Sequence, residues 1–92
     1  MAWEDHDMQK LTLFYFEACP YCRQALAWLE ELKKEKTEYG NIEIEMIDER
    51  KHPEIADQYD YWYVPTFYMN GNKVHEGAMT KEKLNQVLDG AL

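Results

Sequence analysis

Ninety-two residues make one compact domain with one core and leave no room for a second. With 46% apolar and aromatic residues, the chain can bury that core without a disulfide scaffold. No apolar run approaches the ~20 residues needed to span a bilayer. A net charge of −8, from 18 acidic against 10 basic residues, disfavours nucleic-acid phosphates and anionic membranes as partners.

Residues 1–9 read as a loose arm with Trp3 as its only obvious anchor, and residues 10–92 as the domain. The start, Met1 to Asp7, is acidic and polar, unlike a secretory signal. A cytoplasmic setting is therefore expected, with Cys19 and Cys22 kept as thiols. Leu11 to Phe16 is a short run of β-formers suited to a buried central strand. Pro20 then suits the first turn of a helix, where its missing N–H loses nothing. Cys22, Ala25, Leu26, Leu29 and Leu32 recur at helical spacing as one buried stripe, and Tyr39-Gly40-Asn41 suits the turn that ends this unit.

Ile42 to Ile47 alternates apolar and acidic residues before turning apolar, as a strand with one solvated face does. Two strands joined through a helix of this length predict a parallel βαβ unit. Pro53 to Tyr59 reads as a short helix. Thr66–Met69 and Lys73–His75 flank Asn70-Gly71-Asn72, and Asn-Gly supplies the positive φ angles of a tight hairpin. Thr80 caps a last helix with Leu84, Val87, Leu88 and Leu92 on its buried side. The predicted order is β-α-β-α-β-β-α.

Both cysteines of the chain lie in Cys19-Pro20-Tyr21-Cys22, at the junction of the first strand and first helix. Unpaired N–H groups and the helix dipole favour negative charge there, so the Cys19 pKa is expected below the free value of ~8.5. Cys22 lies about one turn further on, close enough to close a disulfide. A structural disulfide and half of a zinc site are the alternatives. So short a loop staples little chain, and a structural zinc site needs four ligands. The pair reads as a redox-active dithiol, with Cys19 exposed and attacking, and Cys22 buried and resolving. No metal ligand set is expected.

Other residues near the pair are weaker candidates. Glu17 should oppose a thiolate on Cys19 and Arg23 partly offset it, unless both are idle surface charges. Tyr21 should stand at the rim and touch the partner. Tyr59 belongs to the core by default, whereas Tyr61, Trp62 and Tyr63 cannot all be buried on one side, so at least one should form an apolar docking surface. His6, His52 and His75 have no metal-ligand spacing and read as surface residues.

The element order, with Cys-Pro-Tyr-Cys after the first strand and Val64-Pro65-Thr66 opening the third, resembles the glutaredoxins and the wider thioredoxin superfamily. The likeness covers residues 10–92. It implies an α/β thioredoxin-like fold, with a central four-stranded mixed sheet flanked by helices. It implies a cis bond before Pro65, with Pro65 facing the dithiol and the Val64 backbone pairing with substrate. Pro20, Tyr21 and Gly77 would line the same site. The motif is that of dithiol glutaredoxins, but Glu76-Gly77-Ala78-Met79-Thr80 lacks their Gly-Gly pair and the Asp that grips glutathione. That stretch looks more like the end of a thioredoxin, while Leu13 and Ile44 stand where thioredoxins put a buried Asp and Lys.

The resemblance implies a thiol–disulfide oxidoreductase acting on protein disulfides. No bound cofactor is expected; glutathione is a possible co-substrate, and glutathione or a flavin-dependent thioredoxin reductase is the electron donor. Weak glutathione binding follows from the missing motif, with Asp48 or the Thr80 hydroxyl as partial substitutes. A monomer is expected. Two rival readings are a deglutathionylating glutaredoxin and an iron–sulfur cluster module, the latter disfavoured in the family by proline after the first cysteine.

Overall fold

The computed structural model describes residues 9–92. The arm read over residues 1–9, with its Trp3 anchor, falls outside these except for Gln9, whose N–H donates to Ala91 O (3.1 Å). The elements run β1 (Lys10–Tyr15), α1 (Pro20–Glu35), a 3₁₀ segment (Thr37–Asn41), β2 (Glu43–Asp48), α2 (Pro53–Ala56), β3 (Thr66–Met69), β4 (Asn72–Glu76) and α3 (Lys81–Gly90). The four strands form one mixed sheet in the order β2-β1-β3-β4. β1 and β2 are parallel, and β3 runs antiparallel to both β1 and β4. This is the α/β architecture that the sequence pattern implies.

Alternation along β1 divides the core between the two faces of the sheet. Leu11 and Leu13 point to one face and pack with Leu29, Leu32, Leu84 and Leu88 of α1 and α3. Phe14 points to the other and packs with Ile47, Ala56 and Tyr68. Leu13, where a thioredoxin places its Asp, is an apolar core residue here, 1% exposed. Among the described residues, no helix is long and apolar enough to cross a membrane.

Local signals explain most boundaries. Thr80 accepts a hydrogen bond from Lys83 N (3.0 Å), as a helix cap should. Asn70 (φ 52°) and Gly71 (φ 86°) turn the β3–β4 hairpin.

Two expectations need correction. The second helix stops at Ala56 rather than Tyr59, because Gln58 and Tyr59 bond back only three residues, to Ile55 and Ala56. Tyr59 is thereby free to lie against Phe14, ring centroids 4.6 Å apart. Leu92 is exposed, since α3 ends at Gly90 and the fully buried Ala91 fills its place. Tyr39 lies in the 3₁₀ turn that ends the α1 unit, and its side chain is also part of the core, its hydroxyl lying between the carboxamide of Asn85 (2.8 Å) and the carboxylate of Asp89. Burial, with those acceptors, pushes its pKa up to about 12.

Candidate active site

The strand directions gather one end of the sheet around the dithiol. β1 and β2 both finish there, with Tyr15 opposite Asp48. Phe14 pairs with Thr66 and Thr66 with Glu76, so Pro65 and Gly77 lie at that same end. Gly77 N donates to Pro65 O (2.9 Å), and its φ of 89° is a conformation that suits glycine. The Val64–Pro65 bond is cis and Pro65 is fully buried. A loop of four residues, 16–19, leads from β1 into α1. Cys19 N closes it on Phe16 O (3.1 Å).

Cys19 is the N-cap of α1 and Pro20 its first helical residue. Cys22 N donates to Cys19 Sγ at 3.2 Å, and the two cysteines are unbridged. The contact is the side-chain cap of the first turn of α1. The exposed thiol expected at Cys19 is not found: Cys19 is 5% exposed and Cys22 1%. The Cys19 sulfur lies over the first turn of α1, within hydrogen-bond reach of Cys22 N. The two thiols therefore differ little in access. Burial first, then the hydrogen bond and charge of Cys19, push the Cys22 thiol up to about 12. Cys22 is accordingly a protonated thiol at rest.

The surroundings sort the remaining candidates. Tyr21 stands out at 63% exposure, as its place between a cap and a buried cysteine dictates. Glu17 is exposed and paired with Lys51 (2.9 Å), which diverts its charge from the dithiol and raises the Lys51 pKa. Arg23 is exposed on α1, and Arg50 stacks on the Phe16 ring at 3.8 Å. A cavity of about 240 Å³ opens here, lined by Phe16, Glu17, Ala18, Asp48, Arg50 and Lys51. Asp48 is buried and accepts from Arg50 N (2.9 Å) and Lys51 N (3.2 Å). Both bonds fall on Asp48 Oδ1, while the Thr80 hydroxyl accepts from Lys83 N (3.0 Å).

The aromatic stretch divides as chain geometry requires. Tyr59 and Tyr61 lie against Phe14, and the Tyr61 hydroxyl donates to Glu49 (2.7 Å). Val64 packs half-buried on the same cluster. Trp62 and Tyr63 are left outside, 84% and 70% exposed.

Two residues escaped the sequence reading. His75, expected at the surface, is half-buried with Nε2 against Gly77 O (2.9 Å) and Ala78 O (3.2 Å). Glu76 reaches across to the backbone N–H groups of Trp62 (2.6 Å) and Tyr63 (3.0 Å). Glu76 carries no local signal, because its partners lie 14 and 13 residues upstream and are set by strand pairing, whereas those of His75 lie only two and three residues on. The nearest hint is that both precede Gly77 at the end of a hairpin strand.

Known proteins of this shape fit the geometry. Residues 10–89 match the family described as thioredoxin domain. A thioredoxin of Methanocaldococcus jannaschii is 34% identical over 79 residues, spanning 86% of this chain and 91% of that one. A probable thioredoxin of Methanothermobacter thermautotrophicus is 32% identical over 80 residues, with the same shares of each chain. The X-ray structure of Fasciola hepatica thioredoxin has a TM-score of 0.72 at 25% identity, covering 99% of this chain and 88% of that one. The solution structure of oxidised thioredoxin from Plasmodium falciparum shares the fold, with a TM-score of 0.69 at 23% identity over 90% of this chain and 80% of that one. With its dithiol capping the first helix and these matches across its length, the chain belongs to the thioredoxin family.

Proposed function

We propose that this protein reduces disulfide bonds in other proteins and is itself re-reduced by a flavin-dependent reductase. The observation that carries the reading is the unbridged Cys19–Cys22 pair at the start of α1, with the Cys22 N–H on the Cys19 sulfur. The Cys19 thiolate attacks one sulfur of a substrate disulfide, and the other sulfur leaves as a thiolate that takes up a proton. The mixed disulfide on Cys19 is then attacked by Cys22 after its proton has left. The substrate departs with two electrons and the Cys19–Cys22 bond holds the oxidised state. A two-electron donor restores the dithiol.

The raised pKa of Cys22 fits this order. Part of the rise comes from the hydrogen bond and charge of Cys19, and these disappear once Cys19 is tied up in a neutral mixed disulfide. The resolving thiol becomes more acidic when it is needed. In Cys19→Ser protein, the Cys22 titration, followed by thiolate absorbance, should therefore fall below about 12 while burial keeps it above a free thiol. An unchanged midpoint would assign the whole rise to burial.

A protein donor is favoured over glutathione because the stretch from Glu76 to Thr80 holds one glycine and no Asp. Losing one charge-assisted hydrogen bond weakens binding roughly ten- to a hundredfold. Turnover with thioredoxin reductase and NADPH should exceed turnover with glutathione and glutathione reductase. Comparable or faster glutathione-coupled turnover, with specific shifts at residues 77–80 on titration, would reverse that assignment. The reducing cytoplasm is the setting in which such a dithiol stays poised, and a monomer suffices for the chemistry.

A further inference from the structure

A tryptophan 84% exposed beside a tyrosine 70% exposed contributes little to the core, yet the backbone beneath them is tightly fixed. Asp60 O accepts from the Tyr68 hydroxyl (2.6 Å) and from Lys73 Nζ (3.1 Å). Trp62 N and Tyr63 N both donate to Glu76 Oε2, at 2.6 and 3.0 Å. Tyr63 O accepts from the Thr66 hydroxyl, so the tie at Tyr63 acts on both sides of the residue. Lys73 Nζ lies 2.7 Å from Glu76 Oε1 and fixes the carboxylate in turn. On the other side, the preceding residue His75 holds Gly77 O and Ala78 O, while Gly77 N holds Pro65 O. The end of β4 thus sets both loops that flank Pro65.

We propose that Glu76 is a positioning residue for substrate choice. Its carboxylate holds the loop over residues 61–63 so that Trp62 and Tyr63 form a rigid platform for the extended, disulfide-bearing segment of a protein substrate. Exposed aromatic rings on a fixed backbone bind with little ordering loss, which is how aromatic anchors serve at interfaces. The occupant follows from continuity with the dithiol site: Trp62 and Tyr63 precede Pro65 by three and two residues at the sheet end where Cys19 lies. The clamp is charged throughout the neutral range, since Lys73 and the two N–H groups hold the Glu76 carboxyl down at about 2. A cystine-sized disulfide carries no flanking chain to lie on this platform, whereas a protein substrate does. The inference rests on the disulfide-reductase reading above.

The test uses pre-reduced protein mixed with insulin or with cystine, with dithiol oxidation followed by thiol tagging across substrate concentrations. In Glu76→Gln, the ratio of the insulin to the cystine second-order rate should fall about tenfold, carried by a higher half-saturating insulin concentration rather than a lower limiting rate. Amide exchange at Trp62 and Tyr63 should accelerate, which a general loss of stability would not confine to those positions. In a Trp62→Ala, Tyr63→Ala background, adding Glu76→Gln should change the ratio no further. Lys73→Met, which loosens the same carboxylate, should move the ratio in the same direction and serves if Glu76→Gln folds poorly. An unchanged ratio, or an effect that persists without the two rings, overturns the proposal. Wild-type protein that oxidises with neither disulfide would instead overturn the reductase reading.

Discussion

Cys19→Ser protein should reduce no disulfide above the background of the reductant, while Cys22→Ser protein should stall as a covalent adduct with its substrate on Cys19. Both effects follow from the roles that the local geometry gives two chemically identical side chains. Cys19 caps α1 and receives the Cys22 N–H at 3.2 Å, and Cys22 is 1% exposed with its thiol pushed up to about 12. Removing the first removes the nucleophile, since exchange has no route without a thiolate. Removing the second leaves the first step intact and deletes the escape from it. Intact mass after incubation with a disulfide-bearing protein reads the adduct directly, and gel mobility under non-reducing conditions gives the same answer. Alkylation of the wild type should label Cys19 before Cys22. It should be slower than for an unhindered thiol because Cys19 is itself only 5% exposed. Equal labelling, or an adduct on Cys22 in Cys19→Ser protein, would exchange the two roles.

The largest effect on stability is expected from Phe14→Ala. The Phe14 ring is fully buried beneath the active-site end of the sheet and meets three aromatic rings. Centroid distances are 4.6 Å to Tyr59, 4.9 Å to Tyr61 in a stacked pose, and 5.8 Å to Tyr68 edge-on. Truncating a buried phenylalanine typically costs about 3–5 kcal/mol. A domain of this size has about 5–15 kcal/mol in total, so the change should lower the melting temperature by about 12 °C or more. Because Tyr61 leads straight into Trp62 and Tyr63, the cavity should also loosen the platform. Chemical denaturation checks the stability loss, and the insulin-to-cystine ratio checks the coupling. A loss under about 1 kcal/mol would show that the tyrosines close over the gap.

Much of this protein is written locally. The Cys-Pro-Tyr-Cys spacing, Pro20 at a helix start, Asn70-Gly71 at a hairpin and Thr80 at a cap each depend on a few adjacent residues, so they are legible in one dimension. The alternation in β1 and the helical stripe of α1 likewise specify which faces are buried, and from them the order of elements follows. Leu92 shows where this fails: the helical period continues in the sequence, but α3 ends at Gly90 and the phase is lost. The burial of Tyr39 is hidden for another reason, since it depends on α3 supplying Asn85 and Asp89 some 46 and 50 residues later.

The site divides in the same way. The sequence by itself determined that two thiols share a helix start, because that is a matter of spacing along one turn. Only the tertiary structure decided how much solvent Cys19 meets, since the ends of β1 and β2 and the fully buried Pro65 are gathered at its end of the sheet only on folding. The sequence required that some of the Tyr59 to Tyr63 aromatics remain outside, but Phe14 on β1 decides which ones are taken in. Glu76 was invisible, because a carboxylate finds N–H groups 14 and 13 residues upstream only after β3 and β4 have paired in register. Contacts of that kind are set by strand pairing across the sheet, where distance along the chain carries no information.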